Sequence, residues 1–286
     1  MSISKFFTQS NPFKEKVKSL VSKEFLNSVR PIFHGLKSYT TALLLGFPAK
    51  KLKIIAITGT KGKTSTSIYV GRLMNANKLK TAYITTALTC TNGQDEELNK
   101  YKMSTLDGIT LNQLAKKALE NGCKYLVLEL SSQGLEQNRH WGMGQFVAGL
   151  FLNIYPEHIE AHGSFENYFR CKKKLFKSIA NNGVAILNNK TEVAKYSLEI
   201  SKELKCKSLL VENDLKIIGD GKLFKSIIYK NNQIKTSMVS DIQVENMAFA
   251  IKTVNIFTEL DSKTIETADP QIPGRFEWVV FENQIV

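Results

Sequence analysis

Apolar residues near the start of the chain recur at helical intervals. Phe13, Val17, Leu20 and Val21 share one face at 3.6 residues per turn, which predicts one or two helices within residues 1–50. From residue 53 the pattern changes. Residues 53–58, Lys-Ile-Ile-Ala-Ile-Thr, form the short apolar run expected of a strand covered on both faces, and they lead through a glycine-containing turn into a helical pattern from 64 to about 77. Residues 81–86 predict a second strand. Leu106, Ile109, Leu114, Ala118 and Leu119 predict a helix ending near Asn121-Gly122, a pair suited to a C-cap. Residues 124–130 and 146–153 predict a third and a fourth strand, and residues 183–188 a fifth, after another helix. Such alternation predicts an α/β fold with a mostly parallel sheet flanked by helices. Between 213 and 240 the apolar runs shorten and are separated by Gly-Asp-Gly and Asn-Asn, which predicts a small antiparallel sheet at the margin, with strands at 216–218, 223–229 and 234–239. Met247, Ala248, Ile251 and Val254 restore a helix, and 269–274 (Asp-Pro-Gln-Ile-Pro-Gly) reads as a linker before a strand beginning at Arg275.

Composition narrows the class. With 43% apolar and 23% charged residues the chain is neither disordered nor a disulfide-stapled miniprotein. Its longest apolar stretch, residues 42–49, contains Gly46 and Pro48 and is far shorter than the roughly 20 residues that span a bilayer. No signal-peptide pattern opens the chain. Cys90, Cys123, Cys171 and Cys206 have no paired spacing, so they read as reduced thiols of a cytoplasmic protein rather than a metal knot. There are 39 basic and 26 acidic residues, for a net charge of +13. The lysines are dispersed and not interleaved with aromatic residues, so a solvated basic surface is favoured over a nucleic-acid footprint, with phosphate-bearing small molecules left open.

Four constellations carry chemistry. Gly59, Thr60, Lys61, Gly62, Lys63, Thr64 and Ser65 lie between a strand and a helix. The amides of such a turn can cradle phosphate oxygens, with Lys63 neutralising the β/γ-phosphates and the Thr64 hydroxyl on Mg²⁺. The alternative is an ordinary Gly-Lys turn capping a helix, since Ile57 occupies the position where the general P-loop has its first glycine. Glu129 ends the third strand, where ligand-lining loops emerge in parallel sheets; alone it could equally be a structural group, but beside a phosphate loop its carboxylate suits Mg²⁺. Two of the four histidines, His158 and His162, follow the fourth strand. After Gly163 the apolar residues Phe165, Tyr168, Phe169, Leu175, Phe176 and Ile179 keep one helical stripe with a gap at Lys172. This puts Lys172 on the buried face, Lys173 at its edge and Lys174 facing away. A lysine so placed either snorkels to water or, as a neutral amine, takes up CO₂ to become a carbamate.

In order along the chain, residues 58–64 (Thr-Gly-Thr-Lys-Gly-Lys-Thr), 129–139 (Glu-Leu-Ser-Ser-Gln-Gly-Leu-Glu-Gln-Asn-Arg) and 157–168 with its trailing lysines resemble the motifs of the Mur ligase superfamily. Val244-Glu-Asn246 and Pro273-Gly-Arg275 extend the match, and the resemblance is to the MurE-type UDP-N-acetylmuramoyl-peptide synthetases. The family's loop places its first glycine where Gly59 stands. The resemblance implies a P-loop-type α/β domain over 51–272, after the helical segment (1–50) that the apolar spacing predicts, followed by a linker and first strand of a C-terminal domain (273–286) that the chain does not carry further. It implies ATP-dependent amide-bond formation through an acyl phosphate, with a muramoyl-peptide nucleotide and an amino acid as substrates. Thr64 and Glu129 would hold one Mg²⁺, and His158 with a carbamylated Lys172 a second. Lys63, Glu129, His158 and Lys172 thus become the catalytic set. Asn246 would sit on the adenine side, and Ser104, Thr105, Ser131, Gln137 and Arg139 at substrate-contacting positions. The chain has 58 residues before Gly59 and eleven after Arg275. That suggests either lost or reduced recognition of the uridine nucleotide or a different substrate, and a truncated frame that binds ATP weakly at best and does not turn over alone. Folylpolyglutamate synthase-like and lipid II-amidating ligases of the same superfamily, and a non-catalytic nucleotide-binding partner, are the alternatives. The run from Ser131 to Arg139 favours the muramoyl-peptide branch.

Overall fold

The computed structural model describes residues 23–101, 103–212, 215–218, 224–268, 271–275, 280–281 and 284–285. Its main sheet has eight strands in the order β4-β3-β2-β5-β1-β6-β7-β8. The central strand β1 (Lys53–Thr58) lies parallel to β5 (Tyr125–Glu129) on one side and to β6 (Phe146–Phe151) on the other. β2 (Thr81–Ile84) extends the parallel sheet beyond β5, and β7 (Ile179–Asn188) and β8 (Lys207–Val211) extend it beyond β6. Two short strands, β3 (Leu88–Cys90) and β4 (Glu96–Leu98), close the β2 edge in antiparallel fashion.

The alternation of a strand decides how β1 is buried. Ile55 and Ile57 join one core, with Val127, Leu150 and side chains of α2 (Lys63–Ala76) and α8 (Asp241–Val254). Ile54 and Ala56 join the other, with Leu126, Leu128 and Phe151 and side chains of α3 (Gly108–Glu120) and α6 (Phe165–Lys173). A strand covered on both faces has no polar side to show, which is why its sequence reads as a continuous apolar run. Helix α1 (Lys23–Leu44) packs against α3, where Gly108 admits Ser38 so closely that a Cβ on the glycine would stand 2.3 Å from Ser38 Cβ. The remaining elements among the described residues are a 3₁₀ turn (Pro48–Lys51), α4 (Ser132–Glu136), α5 (Ile159–His162), α7 (Thr191–Lys202), α9 (Ser262–Thr267), a second 3₁₀ turn (Lys174–Ser178), the three-stranded antiparallel sheet β9 (Lys216–Ile218), β10 (Ser226–Tyr229) and β11 (Asn232–Lys235), and the strand pair β12 (Val280–Phe281) and β13 (Gln284–Ile285).

Several expectations change. The stripe from Phe165 to Ile179 is not one helix. α6 ends at Lys173, a 3₁₀ turn covers Lys174–Ser178, and Ile179 opens β7, where it pairs with Phe146. Sheet pairing overrides the helical spacing there. Lys174, expected to face away, is half-buried in the turn, with Nζ 3.4 Å from the Glu136 carbonyl. β11 stops at Lys235 rather than continuing to 239. Phe13, Val17, Leu20, Val21 and Leu223 lie outside the described residues, as do 276–279 of the expected strand after Arg275. Among the described residues no helix is long and apolar enough to cross a membrane.

Candidate functional site

Because six strands of the sheet run parallel, the loops after β1, β2, β5 and β6 all leave from one edge. β5 connects over β1 to β6, so β1 sits where the chain switches sides, the usual place for a ligand crevice. The loop 59–65 opens there. Gly62 caps α2 with a φ of 82°, and a Cβ on it would lie 2.3 Å from Asn246 Oδ1 on α8. Glycine is therefore required by backbone conformation and by space together. Asn246 also accepts from Thr66 Oγ1 at 3.4 Å, which fixes α8 against the loop.

From the other side the loop is held by the segment after β6. Asn153 Oδ1 accepts from the amides of Thr60 and Lys61, each at 2.9 Å, and Asn153 Nδ2 donates to the Lys61 carbonyl at 3.1 Å. The Thr60 hydroxyl meets Tyr168 Oη at 3.0 Å and accepts from the Tyr155 amide at 3.0 Å. Lys63 Nζ folds back to donate to the carbonyls of Gly59 (3.0 Å) and Thr60 (2.9 Å). Burial lowers the pKa of Lys63, opposed by the nearby charge of Glu129.

Glu129 is buried at the end of β5. One of its oxygens accepts from Thr64 Oγ1 at 3.0 Å and from the Thr86 amide at 2.8 Å, and the Thr86 hydroxyl reaches both oxygens at 3.0 Å. Lys172 is 1% exposed. Its Nζ donates to the Gly59 carbonyl at 2.6 Å and stands 4.4 Å from the centre of the Tyr168 ring. Burial, and then the charge of Lys63, hold its pKa well below the usual lysine range. His158 heads α5 with a φ of 57°, its ring edge-on to Tyr168 at 6.1 Å between centroids.

Lys63, His158, Tyr168 and Lys172 line a cavity of about 300 Å³ together with Ser104, Thr105, Ser131 and Arg139. Thr105 Oγ1 accepts from the Ser131 amide at 2.7 Å, and Ser131 Oγ caps α4 by accepting from the Gly134 amide at 3.1 Å. Arg139 is oriented by Nη1 donating to the Thr105 carbonyl at 2.6 Å and Nε donating to Gln137 Oε1 at 2.9 Å. Gln137, Thr64, Glu129 and Asn246 are not lining residues. Gln137 supports Arg139, the Thr64–Glu129 pair adjoins the loop, and Asn246 touches it at Gly62. Asn153, Thr86 and Tyr168 also belong to the site, although no motif assigns them a role. Asn153 and Thr86 stand just past strand ends at the ligand edge, a signal that could have found them. Tyr168 reads as one more apolar position of α6.

Residues 57–254 match the Mur ligase middle domain. The chain belongs to the Mur ligase family. A UDP-N-acetylmuramyl-tripeptide synthetase of Lactococcus lactis subsp. cremoris is 31% identical over 248 residues, covering 83% of this chain and 49% of that protein. A UDP-N-acetylmuramoyl-L-alanyl-D-glutamate–2,6-diaminopimelate ligase of Clostridium perfringens is 29% identical, over 84% and 51% of the two chains. This Mur ligase chain thus spans about half the length of the curated relatives it matches. Among solved structures, a UDP-N-acetylmuramoyl-L-alanyl-D-glutamate–2,6-diaminopimelate ligase superposes with a TM-score of 0.66 at 23% identity, over 85% of this chain and 50% of that one. The MurF ligase of Thermotoga maritima, solved in complex with ADP, superposes at 0.60 with 16% identity, over 88% and 55%. Both share the fold.

Proposed function

We propose that this chain forms the nucleotide-binding, carboxylate-activating part of a cytoplasmic ATP-dependent ligase that adds an amino acid to a UDP-N-acetylmuramoyl-peptide in peptidoglycan precursor synthesis. The observation that carries the reading is the shared cavity. It brings the cations of a phosphate loop and its neighbours, Lys63 and Lys172, into one cavity with an oriented Arg139 and the hydroxyls of Ser104, Thr105 and Ser131. Phosphate oxygens would meet the amides of loop 59–65 and the N-terminus of α2, with Asn246 on the adenine side. Lys63 Nζ would exchange its two carbonyl acceptors for the transferred phosphoryl group. Arg139, already held by Gln137 and Thr105, would present its fork to an anionic group of the muramoyl-peptide. A substrate carboxylate oxygen then attacks the γ-phosphorus and ADP leaves. The amine of the incoming amino acid attacks the acyl phosphate, and inorganic phosphate leaves. The chain's own residues contribute position, charge neutralisation and exclusion of water.

The family implies Mg²⁺, and the residues fit it. The Thr64 hydroxyl and Glu129 carboxylate, 3.0 Å apart, are the hard oxygen donors that Mg²⁺ prefers. His158 and Lys172, both lining the cavity, would serve a second ion. As a carbamate, Lys172 would bring the anionic oxygens that a His–Lys pair lacks, and its buried amine with lowered pKa suits CO₂ uptake. Bound Mg²⁺ would neutralise the triphosphate.

Calorimetric titration of the full chain with Mg·ATP is the test. One saturable site is expected, weakened about tenfold or more by Lys63→Ala through loss of a charge-assisted phosphate contact. Absence of Mg·ATP binding, or binding that Lys63→Ala leaves unchanged, overturns the proposal. With a UDP-muramoyl-dipeptide present and no amino acid, exchange of the β–γ bridging oxygen of labelled ATP reports the acyl phosphate.

A further inference from the structure

Glu136 ends α4, His162 ends α5 and Cys171 lies on α6, and none of them has a part in the reaction proposed above. A carboxylate oxygen, an imidazole nitrogen and the thiol sulfur of these three lie within 4.8 Å of one another. His162 and Cys171 are buried, at 6% and 4% exposure, while the Glu136 side chain is 38% exposed at the outer side of the cluster. His162 Nε2 is engaged with Ser132 Oγ at 3.0 Å, which turns Nδ1 toward Glu136 Oε2, 3.4 Å away. That Nδ1 is fully buried and makes no hydrogen bond. A buried ring nitrogen that makes no hydrogen bond and faces a carboxylate oxygen is suited to an occupant between the two.

We propose that Glu136, His162 and Cys171 form a binding site for a borderline-soft divalent cation of the Zn²⁺ class, with water in the fourth position. Thiolate, imidazole and carboxylate together are ligands that Zn²⁺ takes readily, whereas Mg²⁺ selects oxygen donors. Ligands bound about 2.0–2.3 Å from one tetrahedral ion stand roughly 3.3–3.6 Å apart. The Glu136–His162 pair already has that spacing. The other separations, under 4.8 Å, need roughly 1 Å of closure: a rotation of the partly exposed Glu136 adjusts its distance to Cys171, and a small χ1 rotation of Cys171 its distance to His162. Ser132 plays the outer partner that fixes ring orientation in histidine metal sites. On binding, the Cys171 sulfur loses its proton to solvent as the metal–sulfur bond forms, so one proton is released per ion. The ion would tie α4 to α5 and α6. Ser132 on α4 and Lys172 on α6 line the reaction cavity, so occupancy would stiffen its wall. The site is separate from the Mg²⁺ ligands proposed above and stands or falls independently of the ligase reading.

Titration of the reduced full chain with Co²⁺, in excess Mg²⁺ to saturate hard-oxygen sites, tests the proposal. One Co²⁺ per chain is expected, with a thiolate-to-cobalt absorption band that Zn²⁺ abolishes by displacement. Cys171→Ser removes the band, Glu136→Gln weakens the affinity about tenfold or more, and Cys206→Ser changes neither. Absence of a thiolate band, a band that persists in Cys171→Ser, or equal affinity in Glu136→Gln overturns the proposal. Should Cys171→Ser fail to fold, Glu136→Gln, altered at a partly exposed side chain, decides the matter.

Discussion

A methyl group at position 62 would collide with Asn246 at 2.3 Å and force an L residue to hold a φ of 82°. Gly62→Ala is therefore expected to destabilise the fold by about 1–3 kcal/mol from backbone strain plus displacement of Asn246. Asn246→Ala in the same chain removes the clash but not the strain, so denaturant titration should show the double variant less destabilised than the sum of the singles. His140 offers a pH test. It is buried, with its ring tilted against Phe146 at 6.1 Å between centroids, and burial pushes its pKa down from 6.5 to about 4. Between those values the unfolded chain binds the proton and the folded one does not, so stability rises with pH from about 4 to about 6.5 and is flat above. The difference is about 3 kcal/mol at 1.36 kcal/mol per pH unit, and His140→Gln should flatten that slope in urea titrations. Of the candidate site, Lys172 was legible because one polar residue interrupted an apolar stripe. Asn153 was legible only as a residue just past a strand at the ligand edge; nothing in its neighbours tells that its side chain will grip two amides of a loop more than ninety residues away.

The strands that were legible are the ones buried on both faces, where the fold demands long apolar runs. β3 and β4 have three residues each, and β4 is exposed throughout, so no periodicity marks them. Tertiary bonds secure that edge instead. Arg72 on α2 donates from Nε and Nη2 to the two oxygens of Glu96, each at 2.7 Å, and Tyr83 Oη donates to Glu96 as well. The apolar stripe overstates the length of α6 because the 3₁₀ turn at Lys174–Ser178 keeps Leu175 and Phe176 in the core while breaking the helix. α8 is the element that presses Asn246 on the phosphate loop, and it starts from a capping box. Ser240 Oγ accepts from the Gln243 amide at 3.2 Å, and Gln243 Oε1 accepts from the Ser240 amide at 3.2 Å. Ser240→Ala is expected to lower stability by about 1 kcal/mol, read as an earlier urea midpoint with an unchanged slope.

Across the fold, a net charge of +13 is carried with two lysines, Lys63 and Lys172, converging on the carbonyl of Gly59. Holding a lysine at 1% exposure beside another cation works against folding. Lys172→Met keeps the volume and removes that penalty, and the Gly59 carbonyl retains Lys63 at 3.0 Å. The variant should unfold later, by about 1 kcal/mol or ~2–4 °C, while losing any CO₂-dependent metal binding in the cavity. A variant that melts earlier would show that the Lys172–Gly59 bond outweighs the burial of the amine. Local pattern alone determined the alternating α/β plan, the Gly-Lys loop at a strand end and the inward lysine, because strand alternation and helical pitch translate neighbouring residues directly into faces. Only the tertiary structure decided which loops share an edge, which groups orient Arg139 and Glu129, and that Glu136, His162 and Cys171 meet. Sheet order and helix packing join residues far apart in the chain, and no spacing along a single element encodes that.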